Sequence, residues 1–298
     1  MPHPPSPTGD RFGATDTMSK LEAQRRLRDK ITLPTLPEVV TRITAMVDDP
    51  KVRICDIGSV VAQDPAMTAT VLRIANSAYY GLAKPAISPE QAATVIGGRS
   101  LRNIALQASL VGRYAHLSKK FDFDLTELWT HSVFTAQLCQ ELARRMPLSC
   151  KIGPEEFYTC GLLHDVGKAV LLDCLGEEYA AVYKAARASG EALHVVEERA
   201  LMFTHVEVGA LVAQRWQFPE PVSHAIRFHH GPRDEVLAHP PTAVVALCDQ
   251  VAYRINTPDF GAALPRLTSL ARETLRIQPE EFAAFVERAT VLRGLVQV

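Results

Sequence analysis

Apolar and polar positions along this chain follow the period of the α-helix, and the breaks between periods carry helix-capping residues. Ser19 and Glu22 have the spacing of a capping box, as do Thr35 and Glu38. Behind Thr35, the apolar residues Val39, Val40, Ile43, Met46 and Val47 fall on one helical face. Asp64-Pro65 reads as an N-cap followed by proline at the first helical position, and the helix it opens carries Met67, Val71, Leu72 and Ile74. Ser88-Pro89 repeats the device, and Gly97-Gly98 stops the helix it starts. Further helices are predicted over 101–116, 126–145, 177–189, 195–215, 219–229, 242–255, 264–276 and 279–295, and from Pro154 to about Asp165. No alternating run is convincing enough for a sheet, and the loops are short, as in a helical bundle. The expected fold is therefore all-α. A Pro-, Gly- and Thr-rich segment, 1–17, is expected to be disordered. Helical blocks over 18–120 and 121–256, with a soft boundary near 120, and C-terminal helices over 257–298 follow it.

Composition narrows the class of protein. The 298 residues carry 32 Lys plus Arg and 33 Asp plus Glu, a formal charge of −1, with 47% hydrophobic residues. That is ordinary globular composition. No apolar run approaches the roughly 18 residues of a membrane helix, so no membrane role is expected. Near-neutrality argues against a protein built to bind nucleic-acid phosphates. The basic stretch Arg25, Arg26, Arg28 and Lys30, and the loose group Arg99, Arg102 and Arg113, read as solvated faces. The six cysteines form no CxxC pair, and the first residues lack the apolar region of a secretory signal, so a reducing cytoplasm is the expected setting.

Candidate chemistry lies among the ten histidines. His131, His164-Asp165, His205, His229-His230 and Asp249 each sit on or at the end of a predicted helix. Imidazole with carboxylate is a ligand set for iron, manganese, nickel or zinc. Seven such groups exceed the needs of one tetrahedral zinc, whereas two metals sharing a carboxylate would use them all. Adjacent His229 and His230 point about 100° apart on a helix, so one could serve each metal, with Asp165 as the bridge. Each residue taken singly has a plainer reading. A lone histidine on a half-apolar helix is more often a hydrogen-bonded packing residue, and Asp249 within its apolar segment could pair with an arginine. The residues alone leave both readings open. His3, His116, His194, His224 and His239 read as surface or capping groups, and Trp129 and Trp216 as core anchors.

A family resemblance bears on that choice. The order His131, His164-Asp165, Asp249 resembles the H…HD…D pattern of the HD metal-dependent phosphohydrolases. The first half is more specific: Leu33-Pro-Thr-Leu-Pro-Glu38, the run from Asp64 to Gly81 and the segment from Ser88 to Leu110 resemble the HDOD domain, a bacterial signalling module with an all-helical fold. The resemblance covers roughly 21–255. It implies N-terminal HDOD helices packed on an HD-like bundle that holds the metal site. In the related HD-GYP enzymes, which hydrolyse cyclic di-GMP, metal-ligand positions match His131, His164, Asp165, His205, His229, His230 and Asp249. Lys168 matches a lysine that contacts substrate phosphate. Glu127 matches an extra acidic ligand of trinuclear members, and reads equally well as an exposed charge at a helix N-terminus.

The chain also departs from HD-GYP: after His229-His230 it reads Gly231-Pro-Arg-Asp-Glu235, with no GYP element to hold cyclic di-GMP. The resemblance thus implies a stand-alone cytoplasmic signal-transduction protein with two divalent metal ions, iron foremost. It would act through partner signalling proteins, with room for a small phosphorylated ligand. The alternative it implies is a metal-dependent phosphohydrolase or phosphodiesterase acting on a nucleotide or cyclic dinucleotide. There Asp165 and Lys168 would be catalytic.

Overall fold

The computed structural model describes residues 25, 29–121, 123–145, 152–255 and 257–296, and among these every regular element is a helix. The segment 1–17 and the Ser19–Glu22 box lie outside the described residues.

Four short helices form the first half: α1 (Glu38–Val47), α2 (Ile54–Val61), α3 (Pro65–Ala75) and α4 (Pro89–Ile96). The long α5 (Gly98–Phe121) follows. The predicted caps at α3 and α4 are present: Asp64 accepts from the N–H groups of Ala66 and Met67, and Ser88 accepts from that of Gln91. Thr35 is not a cap. Pro37 precedes the first residue of α1 and makes no side-chain capping bond, because a proline side chain has no hydrogen-bonding group. Helix α2 was not legible as a separate element. It has only eight residues, and it is seated by Gly58, where a Cβ would lie 2.4 Å from Glu90 Cα of α4. Asn76 closes the loop before α4: its side chain donates to Ala86 O at 2.9 Å and accepts from Ala86 N at 2.7 Å. It therefore acts within this half.

The second half contains α6 (Leu125–Arg145), α7 (Pro154–Leu163), α8 (Val166–Leu175), α9 (Glu177–Ser189), α10 (Leu193–Leu201), α11 (His205–Arg215), α12 (Glu220–Phe228), α13 (Arg233–Ala238) and α14 (Pro240–Arg254). Helices α15 (Phe260–Leu275) and α16 (Pro279–Arg293) pack on it. Two expectations are corrected here. The helix predicted over 195–215 is two helices, broken where Met202 adopts a left-handed conformation (φ 67°) and Thr204 and Glu207 form a capping box that restarts the chain as α11. Helix α8 escaped prediction because it is mostly apolar, with Val166, Gly167, Ala169, Val170, Leu171 and Leu172 buried, which leaves no clear amphipathic stripe to read.

Two apolar cores meet inside α5. Leu101, Ile104 and Ala105 belong with Ile43, Val61 and Val71 of the first half, whereas Leu106, Leu110, Tyr114 and Leu117 belong with the core of the second. Polar bonds pin the junction. Asn103 donates to Glu155 O at 2.8 Å and accepts from Thr159 Oγ1 at 2.9 Å, while the Tyr158 hydroxyl donates to Gln107 at 3.0 Å. The extended stretch before α1 lies across the second core through Ile31, Leu33 and Leu36, and Trp216 Nε1–H donates to Pro34 O at 2.8 Å. Trp129 and Trp216 are both buried, as expected of core anchors.

Candidate metal centre

Helix ends, rather than helix middles, build this site. His164 caps α7 at its C-terminus and Asp165 precedes α8, so the His-Asp pair forms the corner between the two helices. His205 is the first residue of α11. His229 caps α12, and His230 lies in the turn beyond it. His131 and Asp249 come from the bodies of α6 and α14. The α8–α11 approach depends on Gly167, where a Cβ would fall 1.9 Å from His205 O.

These seven residues converge as two sets. The ligand atoms of His131, His164 and Asp249 lie within 4.8 Å of one another, and so do those of Asp165, His205, His229 and His230. Asp165 faces both. Its Oδ2 lies 3.3 Å from His164 Nε2 and 3.8 Å from His131 Nε2, while its Oδ1 lies 3.3 Å from His205 Nε2 and 3.7 Å from His229 Nε2. Asp249 Oδ1 is 2.9 Å from His131 Nε2 and 3.6 Å from His164 Nε2. The expectation that His229 and His230 serve different sets is corrected: both join the same one. They sit at and beyond the helix end, where the 100° offset of regular helix no longer governs them.

Each buried ring is fixed from behind. His164 places Nδ1 2.7 Å from Gly161 O, and His229 places Nδ1 2.9 Å from Ile226 O. His205 Nδ1 lies 2.6 Å from Glu197 Oε2. The inward atoms are then left over: His164 Nε2, His205 Nε2, His229 Nε2 and Asp165 Oδ1 are buried with no hydrogen-bond partner. One such orphan typically costs about 1–3 kcal/mol, so four aimed at one another call for a shared partner. A nitrogen-and-oxygen donor set with its outer nitrogens already bound fits a divalent cation.

Electrostatics agree with the geometry. Burial works against the charge on Asp165 and Asp249, yet the surrounding imidazoles, with Lys168 at Asp165, hold both carboxyls well below their usual range. Burial also works against His164, but Asp165 and Asp249 overcome it and raise the ring to about 10. Burial pushes His229 down to about 4, and His230 lower still. Without a cation, the carboxylates thus draw a proton onto His164, in the place where a second positive charge would serve them better.

Lys168 Nζ sits 2.5 Å from Asp165 Oδ2, at the edge of the cluster. Glu127 is not brought into either set. It stands half-exposed and paired with Arg187 of α9. His194, expected at the surface, is half-buried and stacks on His230 with ring centroids 4.6 Å apart. Glu197, which the sequence reading passed over, was hidden inside the supposed continuous helix over 195–215. The Thr204-x-x-Glu207 capping spacing would have revealed the break.

An all-helical protein whose second bundle gathers imidazoles and carboxylates into one buried cluster is the class that fold and site define. The chain belongs to the HDOD domain family, whose model matches residues 33–232. A crystal structure from Shewanella amazonensis, of a protein described as a "putative phosphohydrolase", is 25% identical with a TM-score of 0.71, covering 92% of this chain and 94% of that one. An HDOD domain protein of unknown function from Geobacter sulfurreducens is 25% identical with a TM-score of 0.70, covering 95% and 100%. An uncharacterised protein of Treponema pallidum is 29% identical over 252 residues, 84% of this chain and 47% of that protein, so the chain spans about half the length of that curated relative. Among the described residues no helix is long and apolar enough to cross a membrane.

Proposed function

We propose that this protein is a signal-transduction module whose second bundle holds two divalent cations, bridged by Asp165. The observation that carries this reading is the division of Asp165 between the two sets, Oδ2 toward one and Oδ1 toward the other. His131, His164 and Asp249 would hold one cation, and His205, His229 and His230 the other. Iron is the metal first expected, with manganese, nickel or zinc serving the same donors. The HDOD half would carry the output to partner proteins in the cytoplasm. Elemental analysis and anomalous scattering of protein purified without chelators test the reading. About two metals per chain, lost together in His164→Ala/Asp165→Ala, is the expected result. A metal-free protein that takes up none on reconstitution would refute it.

Hydrolysis of a phosphorylated ligand is the second reading, and Lys168 is the observation that favours it. When bound, two such cations supply Lewis acidity toward a phosphoryl oxygen and toward water. Asp165 holds Lys168 charged at the edge of the cluster, with the Lys168 pKa raised by that carboxylate against the effect of burial. The ammonium is thereby available to a phosphate group and to the charge that develops on it. Metal-loaded protein is expected to release product from a nucleotide, a cyclic dinucleotide or a generic phosphodiester. No turnover on any of the three leaves the signalling role alone.

A further inference from the structure

Helix α10 contributes no residue to either ligand set, yet it closes one side of the cluster. Glu197, on its inner face, is fully buried. Its Oε2 accepts from His205 Nδ1–H at 2.6 Å and from the His205 backbone N–H at 2.9 Å, and its Oε1 accepts the Tyr179 hydroxyl at 2.7 Å. Burying a carboxylate is costly unless it is paired and hydrogen-bonded, and here three donors from two residues, His205 and Tyr179, converge on it. With the ring proton committed to Nδ1, the Nε2 lone pair of His205 faces Asp165 Oδ1. One turn earlier on the same helix, His194 lies ring to ring with His230. Helix α10 therefore braces two of the three imidazoles of one set. In the opposite set, by contrast, His164 rests on the neutral carbonyl of Gly161.

We propose that Glu197 is a positioning residue: it fixes the tautomer and orientation of His205 and strengthens cation binding at the His205–His229–His230 half. The two halves are thereby unequal. A charge-assisted hydrogen bond is roughly twice as strong as a neutral one, and a carboxylate behind a metal-binding histidine raises the basicity of its free nitrogen. This inference rests on the dinuclear reading above.

Titration of the full chain, stripped of metal, with cobalt(II) tests it, with binding followed calorimetrically and by absorption. Wild type is expected to show two affinities. Glu197→Gln is expected to weaken one of them by about 10–100-fold and leave the other unchanged, with the melting point of the metal-free protein recorded alongside. Two unchanged affinities overturn the inference and leave the dinuclear centre standing, as does an equal loss at both, which marks a merely structural role. Wild type that binds no cobalt removes both. Should Glu197→Gln fail to fold, histidine nitrogen NMR of the wild type decides. A downfield, exchange-protected Nδ1–H on His205 that persists when cobalt is replaced by zinc is the expected signature, and a proton on Nε2 overturns the inference.

Discussion

Gly167, in the His164-Asp-Val-Gly-Lys168 run, gives the sharpest test of how this site is assembled. A Cβ at that position would stand 1.9 Å from His205 O and 2.8 Å from Gly209 N. Non-bonded carbon contacts are comfortable only from about 3.5 Å, so Gly167→Ala forces α11 to retreat from α8 by at least ~1 Å. The obstacles are backbone atoms, which cannot swing aside as a side chain would. Overpacking costs about 1–3 kcal/mol, and this contact belongs at the upper end. In a chain of this size that corresponds to a fall in melting temperature of roughly 5 °C. The displacement also carries His205, the first residue of α11, away from Asp165 Oδ1, now 3.3 Å from its Nε2. Cation binding should weaken by about tenfold or more. Gly112→Ala is the matched control. Gly112 lies exposed within α5 with open space around it, and alanine there should stabilise by about 0.4–1 kcal/mol. Calorimetric melting and metal titration of both variants read the result. A Gly167→Ala protein melting within about 2 °C of wild type, with unchanged metal uptake, would refute the close α8–α11 contact and the site geometry built on it.

Other expectations concern pH, the strap before α1 and Glu127. In chelated protein, His229 is held near 4 by burial against an ordinary 6.5, so the unfolded chain binds the extra proton and stability falls from pH 6.5 toward 4 by up to ~3 kcal/mol. His164, raised to about 10, binds its proton in the fold, so stability also falls from pH 6.5 toward 10; the lowered Asp165 and Asp249 lose their contribution only below ~4. Urea titrations at pH 5, 6.5 and 8.5 should therefore peak at the middle value, and a steady rise to 8.5 would contradict the His164 assignment. Trp216→Phe deletes the bond to Pro34 O and should cost about 1 kcal/mol while speeding hydrogen exchange across 31–36; unchanged exchange there would mean that the bond does not hold the strap. Glu127→Gln breaks an exposed pair with Arg187 and should change stability by less than about 1 kcal/mol with metal content intact, whereas a lost metal would return Glu127 to the ligand set.

Much of this protein is written locally in its sequence. Asp64-Pro65 and Ser88-Pro89 open α3 and α4 because a capping side chain and a proline need only their own helix to act. The amphipathic period of α1 is legible for the same reason. The types of the seven cluster residues admit cation chemistry, and the family resemblance favours it over the packing alternative. What tertiary structure decided is of another kind. Helix α8 has only Lys168 and Asp173 as polar residues, too few to mark an amphipathic stripe, because most of it is buried. The break at Met202 is invisible to a periodicity that runs through it, and with it went Glu197. Glu127 shares a helix face with His131, yet only the packing of α9 sets Arg187 against it. His229 and His230 fall into one set because the chain leaves α12 at His229, close to the predicted end of that helix, so the 100° offset of regular helix does not apply to the pair. Residue types specify which chemistry is available, since that is a property of the side chains. Their division into two sets around Asp165 is a property of three helix ends and two helix bodies brought together from five places in the chain, and distance in space is what a linear pattern leaves unspecified.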